Sequence, residues 1–371
     1  MSVARALECS ALDSLGIGAS DKMRAKSDKR TRQLVQSGRQ KPIVEVGLLL
    51  YPRYHMAMVH GMTDLLQVAS SFSVERGGPR LRLTHWSMDS GGAITRSYDT
   101  HPGSDRCPDV LVAPALAPGP LPCPLEGEEA APFAKWLTER HAEGAMLAST
   151  GCGAFVLAAT GLLSGRSTTT HWSVADKLQA SFPDVKVDAD KVLIDDGEIL
   201  TAGGMMAWTD LGMRLIDRLL GPTVMVEAAQ FWLIDPGGRE QRHYSTFAPR
   251  LAHGDETILK LQHKLQADPA RLVTVPGMAR QAGMEPRTFL RRFKAATGMK
   301  PTEYVQHLRI SKAREHLQFT KDPLDQVAWK IGYGDVAAFR RLFHRLVGLS
   351  PGEYRRRFKA NGSDALIAPS K

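Results

Sequence analysis

Arginine side chains stand at a spacing that could read DNA bases in one C-terminal segment of the chain. Phe289 and Phe293 are four residues apart, so both should face a core and leave Arg287 and Arg291 on the other side of the same helix. Arginine can donate two hydrogen bonds to O6 and N7 of guanine, which the major groove exposes. The spacing therefore predicts a helix that contacts base edges.

The same pattern occurs a second time, 49 residues later up to a turn glycine and 50 residues later after it. The repeated residues are Ala279, Gly283, Phe289, Phe293, Gly298, Pro301 and Tyr304 in the first copy, and Ala328, Gly332, Phe339, Phe343, Gly348, Pro351 and Tyr354 in the second. A helix, a glycine turn and a second helix make a helix-turn-helix, which places its second helix in the major groove. Two copies in register make DNA binding the strongest prediction from this sequence.

The exposed face of each predicted recognition helix supplies the candidate DNA contacts. We expect Arg287 and Arg291 to contact bases in the first copy, and Ala337 and Arg341 to do so in the second, where the alanine methyl can meet a thymine methyl. For any one arginine, a phosphate or solvent contact is an equally good interpretation. Three side chains are assigned to phosphates: Arg292, Lys294 and Arg340. The full predicted set is Arg287, Thr288, Leu290, Arg291, Arg292, Lys294, Val336, Ala337, Arg340, Arg341 and His344.

A second group of chemically suggestive residues surrounds Cys152. This cysteine lies between a predicted strand and a predicted helix, where a nucleophile elbow would expose it at the rim of a parallel sheet, and His171 is a candidate base. A cysteine hydrolase or amidotransferase is one hypothesis. The residues after the first predicted strand, 51–55, offer no carboxylate as a third partner. A non-catalytic pocket at the same elbow is the favoured interpretation, and a purely structural dimerisation domain is a third.

A ligand of an open α/β sheet binds at the carboxyl ends of the strands. The predicted ligand-binding residues are Tyr54, His55, Gly151, Cys152, Gly153, His171 and Trp172. Trp172 could face a quaternary ammonium group through its ring, although packing on the sheet explains it as well. The four cysteines are scattered without metal-ligand spacing, so we expect reduced thiols, no metal site and no cofactor.

Positive charge is concentrated in the segment that holds the doubled motif. The chain has 371 residues and a net charge of +9, enough for two or three domains. Residues 255–360 carry 21 basic and 10 acidic side chains, whereas residues 41–254 carry 18 and 24. This asymmetry favours attraction to a phosphate backbone over a merely solvated basic face. No apolar run is long enough for a membrane span, and no secretion signal is evident, so a cytoplasmic protein is expected.

The elements that must position these residues can be predicted from periodicity. Strand patterns at 43–50, 80–87, 109–114 and 145–149 alternate with helical patterns at 60–70, 128–143, 154–163 and 209–220, and a hairpin is predicted at 192–201. This alternation predicts an α/β domain with a mostly parallel, flavodoxin-like sheet. The C-terminal segment is all-α, with two helix-turn-helix motifs joined by a long helix at 302–319 that would span roughly 27 Å.

The predicted domain ranges follow from these patterns. They are a flexible basic arm at 1–40, an α/β sensing and dimerisation domain at 41–235, a linker at 236–254, a DNA-binding domain at 255–360 and a tail at 361–371.

The doubled motif resembles the DNA-binding domain of AraC/XylS-type transcriptional regulators. The matching residues include Met278-Ala279, Arg287-Thr288-Phe289, Thr297-Gly298, Val327-Ala328, Ile331-Gly332-Tyr333, Phe339-Arg340-Arg341-Leu342-Phe343 and Ser350-Pro351. The range 41–235 resembles the class I glutamine-amidotransferase-like domain of the PfpI type, most clearly at 153–158, 161–166 and 169–172. The order of the two domains is similar to that of the GlxA-like branch of these regulators.

The resemblance implies a cytoplasmic, nucleoid-associated transcriptional activator that senses a small metabolite. It also implies double-stranded promoter DNA, RNA polymerase and a second copy of the chain as partners. Members with a reactive elbow place their cysteine at the position that Gly151 holds here, so Cys152 stands one residue late. The resemblance therefore implies that the elbow is vestigial and that the domain is not an enzyme.

Overall fold

The computed structural model describes residues 43–103, 106–117, 125, 127–235, 237, 239–270 and 274–359. The predicted arm at 1–40 and tail at 361–371 lie outside these residues. The chain divides into two compact units, Met1–Gln241 and Arg242–Lys371.

The N-terminal unit is built on a seven-stranded sheet. The strands are β1 (Ile43–Leu50), β2 (Arg80–Met88), β3 (Ile94–Asp99), β4 (Val110–Ala113), β5 (Met146–Thr150), β6 (Ser167–Thr168), β7 (Lys186–Val187), β8 (Leu193–Asp195) and β9 (Ile199–Ala202). The order in the large sheet is β3-β2-β1-β4-β5-β9-β8, and β6 pairs with β7 separately. All pairs in the interior of the large sheet are parallel, while β3 and β8 are antiparallel at its edges.

Six helices cover the two faces of this sheet. They are α1 (Met56–Glu75), α2 (Ala131–Ala142), α3 (Gly153–Ala159), α4 (Ala175–Ser181), α5 (Trp208–Leu220) and α6 (Pro222–Trp232). Apolar residues of α1, α5 and α6 form one core with the sheet, and those of α2, α3 and α4 form a second core on the other face. Because both faces are covered, the central strands are buried along almost their whole length, which explains their near-continuous apolar sequences.

The parallel crossovers bring the carboxyl ends of β1, β4, β5 and β9 to one edge of the sheet. The predicted fold class of this unit is confirmed, with most strands and helices found where they were predicted. Five of the described elements were missed: the edge strand β3, the short strands β6 and β7, and the helices α4 and α6. Helix α3 is shorter than predicted: the Thr160 hydroxyl donates to the carbonyl of Leu157 (2.6 Å), and Gly161 turns the chain with a φ of 76°.

The C-terminal unit is all-helical. Its helices are α7 (Glu256–Ala267), α8 (Val275–Gln281), α9 (Pro286–Thr297), α10 (Pro301–Phe319), α11 (Leu324–Lys330), α12 (Val336–Val347) and α13 (Pro351–Phe358). The long helix α10 contributes its first half to one core, with α7, α8 and α9, and its second half to another, with α11, α12 and α13. The prediction of two helix-turn-helix motifs joined by a long helix is confirmed.

Glycine and capping residues fix the boundaries of the motif helices. Gly298 and Gly348 follow α9 and α12 in left-handed conformations with φ of 78° and 79°, which glycine adopts without a steric penalty. The Ser350 side chain accepts a hydrogen bond from the backbone N–H of Glu353, while the Glu353 carboxylate accepts from the Ser350 N–H, forming a capping box. The repeated glycines and the Ser-Pro pair of the sequence are therefore helix-ending and helix-starting signals.

Over the described ranges, none of the helices combines the length and apolar character needed to cross a bilayer.

Candidate nucleic-acid interface and sheet-edge site

The two helix-turn-helix motifs are packed in the same way. Phe289 and Phe293 are fully buried with ring centroids 5.5 Å apart, and Tyr304 meets Phe293 edge-on at 5.4 Å. In the second motif, Phe339 and Phe343 are 5.7 Å apart and Tyr354 meets Phe343 at 5.4 Å. With these aromatic faces turned inward, α9 and α12 each present the opposite face to solvent.

The first recognition helix, α9, exposes most of its predicted DNA contacts. The exposed members of the set are Arg287, Thr288, Leu290, Arg291 and Lys294. Leu290 is 41% exposed, so its side chain is accessible on the same surface. The arrangement offers two arginines, a lysine, a hydroxyl and an apolar side chain on one helical surface.

Arg292 does not share this surface, which corrects its assignment to phosphate. Its guanidinium donates to both carboxylate oxygens of Asp255, at 2.9 and 2.8 Å. Asp255 caps α7 by accepting from the Ile258 N–H at 3.1 Å, and the Arg292 guanidinium lowers the pKa of this carboxyl. A bidentate arginine–carboxylate pair holds the arginine in one geometry, so Arg292 ties α9 to α7 instead of extending toward DNA.

The second recognition helix, α12, exposes Ala337, Arg340, Arg341 and His344. Val336 is half-buried and packs on the second core, so the prediction that it is exposed was wrong. Arg340, Arg341 and His344 line a cleft of about 620 Å³ between α11, α12 and α13, whose other wall includes Ser350 and Gly352.

At the edge of the sheet in the N-terminal unit, the elbow position is occupied by Gly151. It follows β5 with a φ of 47°, and its N–H donates to the carbonyl of Ala202 at 2.7 Å. A positive φ is the conformation in which an elbow holds its nucleophile, and glycine adopts it readily. Gly153 packs so closely that an added Cβ would collide with the carbonyl oxygen of Ala113. The backbone therefore retains an elbow shape without a side chain at its apex.

Cys152 points into the core next to this apex. It is 5% exposed and belongs to the apolar cluster that contains Tyr51 and Phe155. Tyr51 lies close to it, and the pKa of its phenol is raised well above the usual range, first by burial and second by the charge of a Cys152 thiolate. A buried thiol at this place lacks the exposure that a catalytic nucleophile needs.

His171, the candidate base, is held by its own turn. Its Nδ1 accepts a hydrogen bond from the Ser173 N–H at 3.2 Å and lies 2.7 Å from the Ser173 hydroxyl. Burial lowers the pKa of His171. The ring nitrogen that would face Cys152 in a dyad would have to be Nε2, since Nδ1 caps a short 3₁₀ turn at 172–174. This geometry gives His171 a structural role as the cap of that turn.

The loop that carries His171 and Trp172 is anchored by Gln241, a residue that the sequence patterns did not single out. The Gln241 amide donates to Thr169 Oγ1 (3.0 Å), to the Thr170 carbonyl (2.8 Å) and to the Lys191 carbonyl (2.9 Å). Its oxygen accepts from the Trp172 N–H at 3.1 Å. A lone glutamine after a glycine-rich turn gives no local signal, because its partners lie 50 or more residues away in the sequence.

The predicted ligand residues do not all share one open cavity. Gly151, Cys152 and Gly153 are buried, whereas Tyr54, His55, His171 and Trp172 are partly exposed. A second cleft, of about 640 Å³, lies beyond β1 and β2. Of the seven predicted ligand-binding residues, Tyr54 lines it. Its other polar lining comes from Arg53, Ser87, Asp89, Glu128 and Glu129.

His55 lies near this edge and has one ring nitrogen that makes no hydrogen bond. Its Nδ1 is buried without a hydrogen-bond partner, and burial lowers the pKa of the ring. Its backbone N–H donates to the carbonyl of Ala115 at 2.8 Å, which fixes the turn between β1 and α1 against the segment after β4. Within the described ranges, no group of three or more His, Cys, Asp or Glu side chains is arranged to hold a metal ion.

Comparison with known proteins matches both units. Residues 278–357 match the family described as "Helix-turn-helix domain", and residues 115–218 match the DJ-1/PfpI family. The chain therefore has the architecture of transcriptional regulators that combine an AraC-type helix-turn-helix domain with an N-terminal DJ-1/PfpI-type domain.

Within that class the chain is similar to two curated regulators. It is 30% identical over 209 residues to the transcriptional regulator GlxA of Rhizobium meliloti. The aligned residues cover 55% of this chain and 63% of GlxA. It is 28% identical over 317 residues to the transcriptional regulator CdhR of Pseudomonas aeruginosa, covering 83% of this chain and 90% of CdhR. The chain thus spans less than two thirds of the length of GlxA.

A solved structure of an AraC family transcriptional regulator from Pseudomonas putida is also similar. It is 20% identical, with a TM-score of 0.41, and the match covers 51% of this chain and 99% of that one.

Proposed function

We propose that this protein is a sequence-specific transcriptional activator that binds double-stranded promoter DNA. The observation that carries the proposal is the pair of equivalent recognition helices, α9 and α12, each with an aromatic face buried and a basic face exposed. Arginine on an exposed recognition helix is the commonest reader of guanine in the major groove. The excess of basic residues in 255–360 supplies the phosphate attraction that such binding requires.

The length of α10 supports simultaneous binding by both motifs. Its 19 residues span roughly 28 Å at 1.5 Å per residue. Successive major grooves on one face of DNA repeat at roughly 34 Å. We propose that one chain places α9 and α12 in two adjacent grooves, with Arg287, Arg291, Ala337 and Arg341 at base edges.

Phosphate contacts are proposed for the flanks of these helices. Lys294 and Arg340 are exposed beside the base readers. The cleft at Arg340, Arg341 and His344 is open beside the N-terminus of α13, where backbone N–H groups and basic side chains favour an anion. Arg292 is left out of this set because Asp255 holds it.

The N-terminal unit is proposed to bind a small metabolite and to form the homodimer. The effector site is placed at the carboxyl edge of the parallel sheet, around Tyr54, His55, His171 and Trp172, with Gly151, Cys152 and Gly153 shaping its floor. We propose a regulatory role without catalysis, because Gly151 occupies the elbow apex and Cys152 is buried. The proposed domain ranges remain 41–235, 236–254 and 255–360, and cytoplasmic location and contact with RNA polymerase are part of the same proposal.

Selection from a randomised DNA library with the full chain tests the DNA-binding role. We expect an enriched sequence with two half-sites about one helical turn apart, bound with an affinity that falls steeply with salt. No enrichment, or binding that does not change with salt, would refute the proposal. A parallel thermal-shift screen with amino acids, amines and betaines, read on the transition of the N-terminal unit, tests the effector role.

A further inference from the structure

The relative orientation of the two reading motifs depends on more than the helix that joins them. Each motif has its own core on its own half of α10. Arg309, near the middle of α10, donates to the carbonyl of Pro269 (2.8 Å), and its guanidinium lies 5.3 Å from the Tyr333 ring of the second motif. Gly332 in the same turn lies so close to Ala270 that an added Cβ would collide with the Ala270 carbonyl.

A short segment, residues 242–247, packs along α10 and touches both motifs. At one end, Phe247 lies 5.3 Å from the ring of Tyr304 and 5.0 Å from that of His307, on the side of the first motif. At the other end, Tyr244 meets Phe358 of the second motif edge-on at 5.3 Å, and its hydroxyl accepts from Arg357 at 2.7 Å. We call residues 242–247 the bridging segment.

Arg314 fastens the middle of the bridging segment to α10. Its guanidinium donates to the carbonyl of Arg242 at 2.7 Å and also to the carbonyl of Ser245. The same guanidinium lies 5.5 Å from the ring of Tyr354 in the second motif. Arg314 is 8% exposed. A buried arginine bonded to two backbone carbonyls fixes the course of this segment, because guanidinium geometry is rigid.

The residue before the bridging segment is Gln241, which holds the loop of Thr169, Thr170 and Trp172 in the N-terminal unit. Gln241 is the last residue of that unit and Arg242 the first of the next. Gln241, whose side chain holds the Trp172 loop, is therefore followed directly by the first residue of the bridging segment.

We propose that Gln241, Arg314 and the bridging segment are positioning elements. They set the spacing of DNA half-sites that the protein accepts, and they make that spacing depend on the conformation of the Trp172 loop. This inference rests on the proposed function, since it concerns how that DNA site is regulated. A shift of the loop at 169–172 displaces Gln241, and the bridging segment then changes its packing against both motifs. These contacts restrict the separation of the two motifs together with those of Arg309 and Gly332.

The test uses the full chain and the DNA selected with it, bound at its selected spacing and with one or two base pairs inserted between the half-sites. The wild type is expected to lose about tenfold in affinity on insertion. For the variants Arg314→Met, Tyr244→Ala and Gln241→Ala, the same insertion is expected to lower the affinity by no more than about threefold. Matched controls are Lys312→Met, on the same helix but exposed, and Gln179→Ala, whose amide bonds only local backbone in the N-terminal unit.

The ratio of the affinity for the selected DNA to the affinity for each lengthened DNA decides the outcome. A merely structural role would weaken binding to all three DNAs equally. Relaxed spacing in the three variants with controls that behave as wild type supports the proposal. Uniform weakening, or variants that retain the wild-type ratio, overturns it. If Arg314→Met fails to fold, the exposed Tyr244 and the remote Gln241 decide. Failure of the wild type to select any DNA refutes the proposed function itself, which is a different result from an unchanged ratio.

Discussion

Arg292 donates two hydrogen bonds to the carboxylate of Asp255 and so joins the recognition helix α9 to the start of α7. Both side chains belong to the first reading motif, and one of them was predicted to hold a DNA phosphate. The pair instead holds α9 against α7, while Arg291 and Lys294 on the same helix are exposed, and it is for these two that DNA contacts are proposed.

Replacing Asp255 should destabilise the first motif. Asp255→Ala removes the N-cap bond to Ile258 and both bonds from Arg292, and we expect a loss of about 1–2 kcal/mol in unfolding free energy at pH 7. Because the pKa of Asp255 is lowered in the folded state, this contribution is present above the unfolded-state pKa of about 3.9 and is lost as pH falls through the folded value. Chemical denaturation at pH 7 measures it, and the exposed neighbour Glu256→Ala serves as control. Equal effects of the two variants would contradict the assignment.

Arg291 and Lys294 should give different signatures in DNA binding. Arg291→Ala is expected to cost about 1–3 kcal/mol at one base position and to relax the preference there. Lys294→Ala should weaken binding to all sequences about equally and reduce the salt slope by about one. Affinity measurements on the selected site and its single-base variants, at several salt concentrations, separate the two. Uniform weakening by Arg291→Ala would remove its assignment as a base reader.

The elbow should not tolerate a methyl group at Gly153. Gly153→Ala places a Cβ against the carbonyl of Ala113, and we expect a loss of about 3 kcal/mol or failure to fold. Gly91→Ala is the control: Gly91 is exposed, its added Cβ would meet the Asp89 side chain at 3.3 Å, and we expect a change in stability of less than about 0.5 kcal/mol. Thermal unfolding of the full chain followed on the N-terminal transition gives both values. A neutral Gly153→Ala would show that the elbow is looser than described.

His85 should make the N-terminal unit sensitive to acid. Burial, and secondarily the charge of His60, lowers the pKa of His85 to about 4, and its Nε2 lies 2.9 Å from the hydroxyl of Thr63. Between pH 6.5 and pH 4 the unfolded chain binds a proton that the folded unit does not, so stability falls as pH falls. We expect a loss on the order of 2 kcal/mol between pH 7 and pH 4.5 from this group.

His85→Gln removes the titrating ring and keeps an amide that can bond Thr63. Urea denaturation of the wild type and of this variant at pH 7 and pH 4.5 should show a smaller pH effect in the variant. His101, which is also lowered in pKa but lies nearer the surface, gives the comparison variant His101→Gln. An identical pH dependence of wild type and His85→Gln would contradict the prediction.

Periodicity predicted the fold well because both units repeat simple patterns. The buried parallel strands such as β1 are continuous apolar runs, and the phenylalanines of α9 and α12 stand at helical spacing. The edge strand β3 was missed because it is largely exposed, so its sequence lacks the apolar alternation of a half-buried strand. Helix α6 was missed because it begins at Pro222 directly after α5, with Gly221 as its only boundary.

The sites were harder to predict than the elements. Which face α9 exposes follows from its aromatic spacing, but the fate of Arg292 depends on Asp255, 37 residues earlier, and no local pattern shows that pair. Likewise Gln241 joins segments that are 50 to 72 residues away. Long-range hydrogen bonds of single polar residues leave no periodic trace in a sequence, so only the structure shows them.

The two reading motifs are built alike yet carry different side chains at equivalent positions, such as Arg287 and Ala337, or Lys294 and His344. A DNA site read by one chain therefore has a direction: turning it end for end presents each helix with the other's bases. A palindrome within one such site would satisfy only half of the chain. In the proposed mode of binding, a single chain therefore distinguishes the upstream from the downstream end of its site.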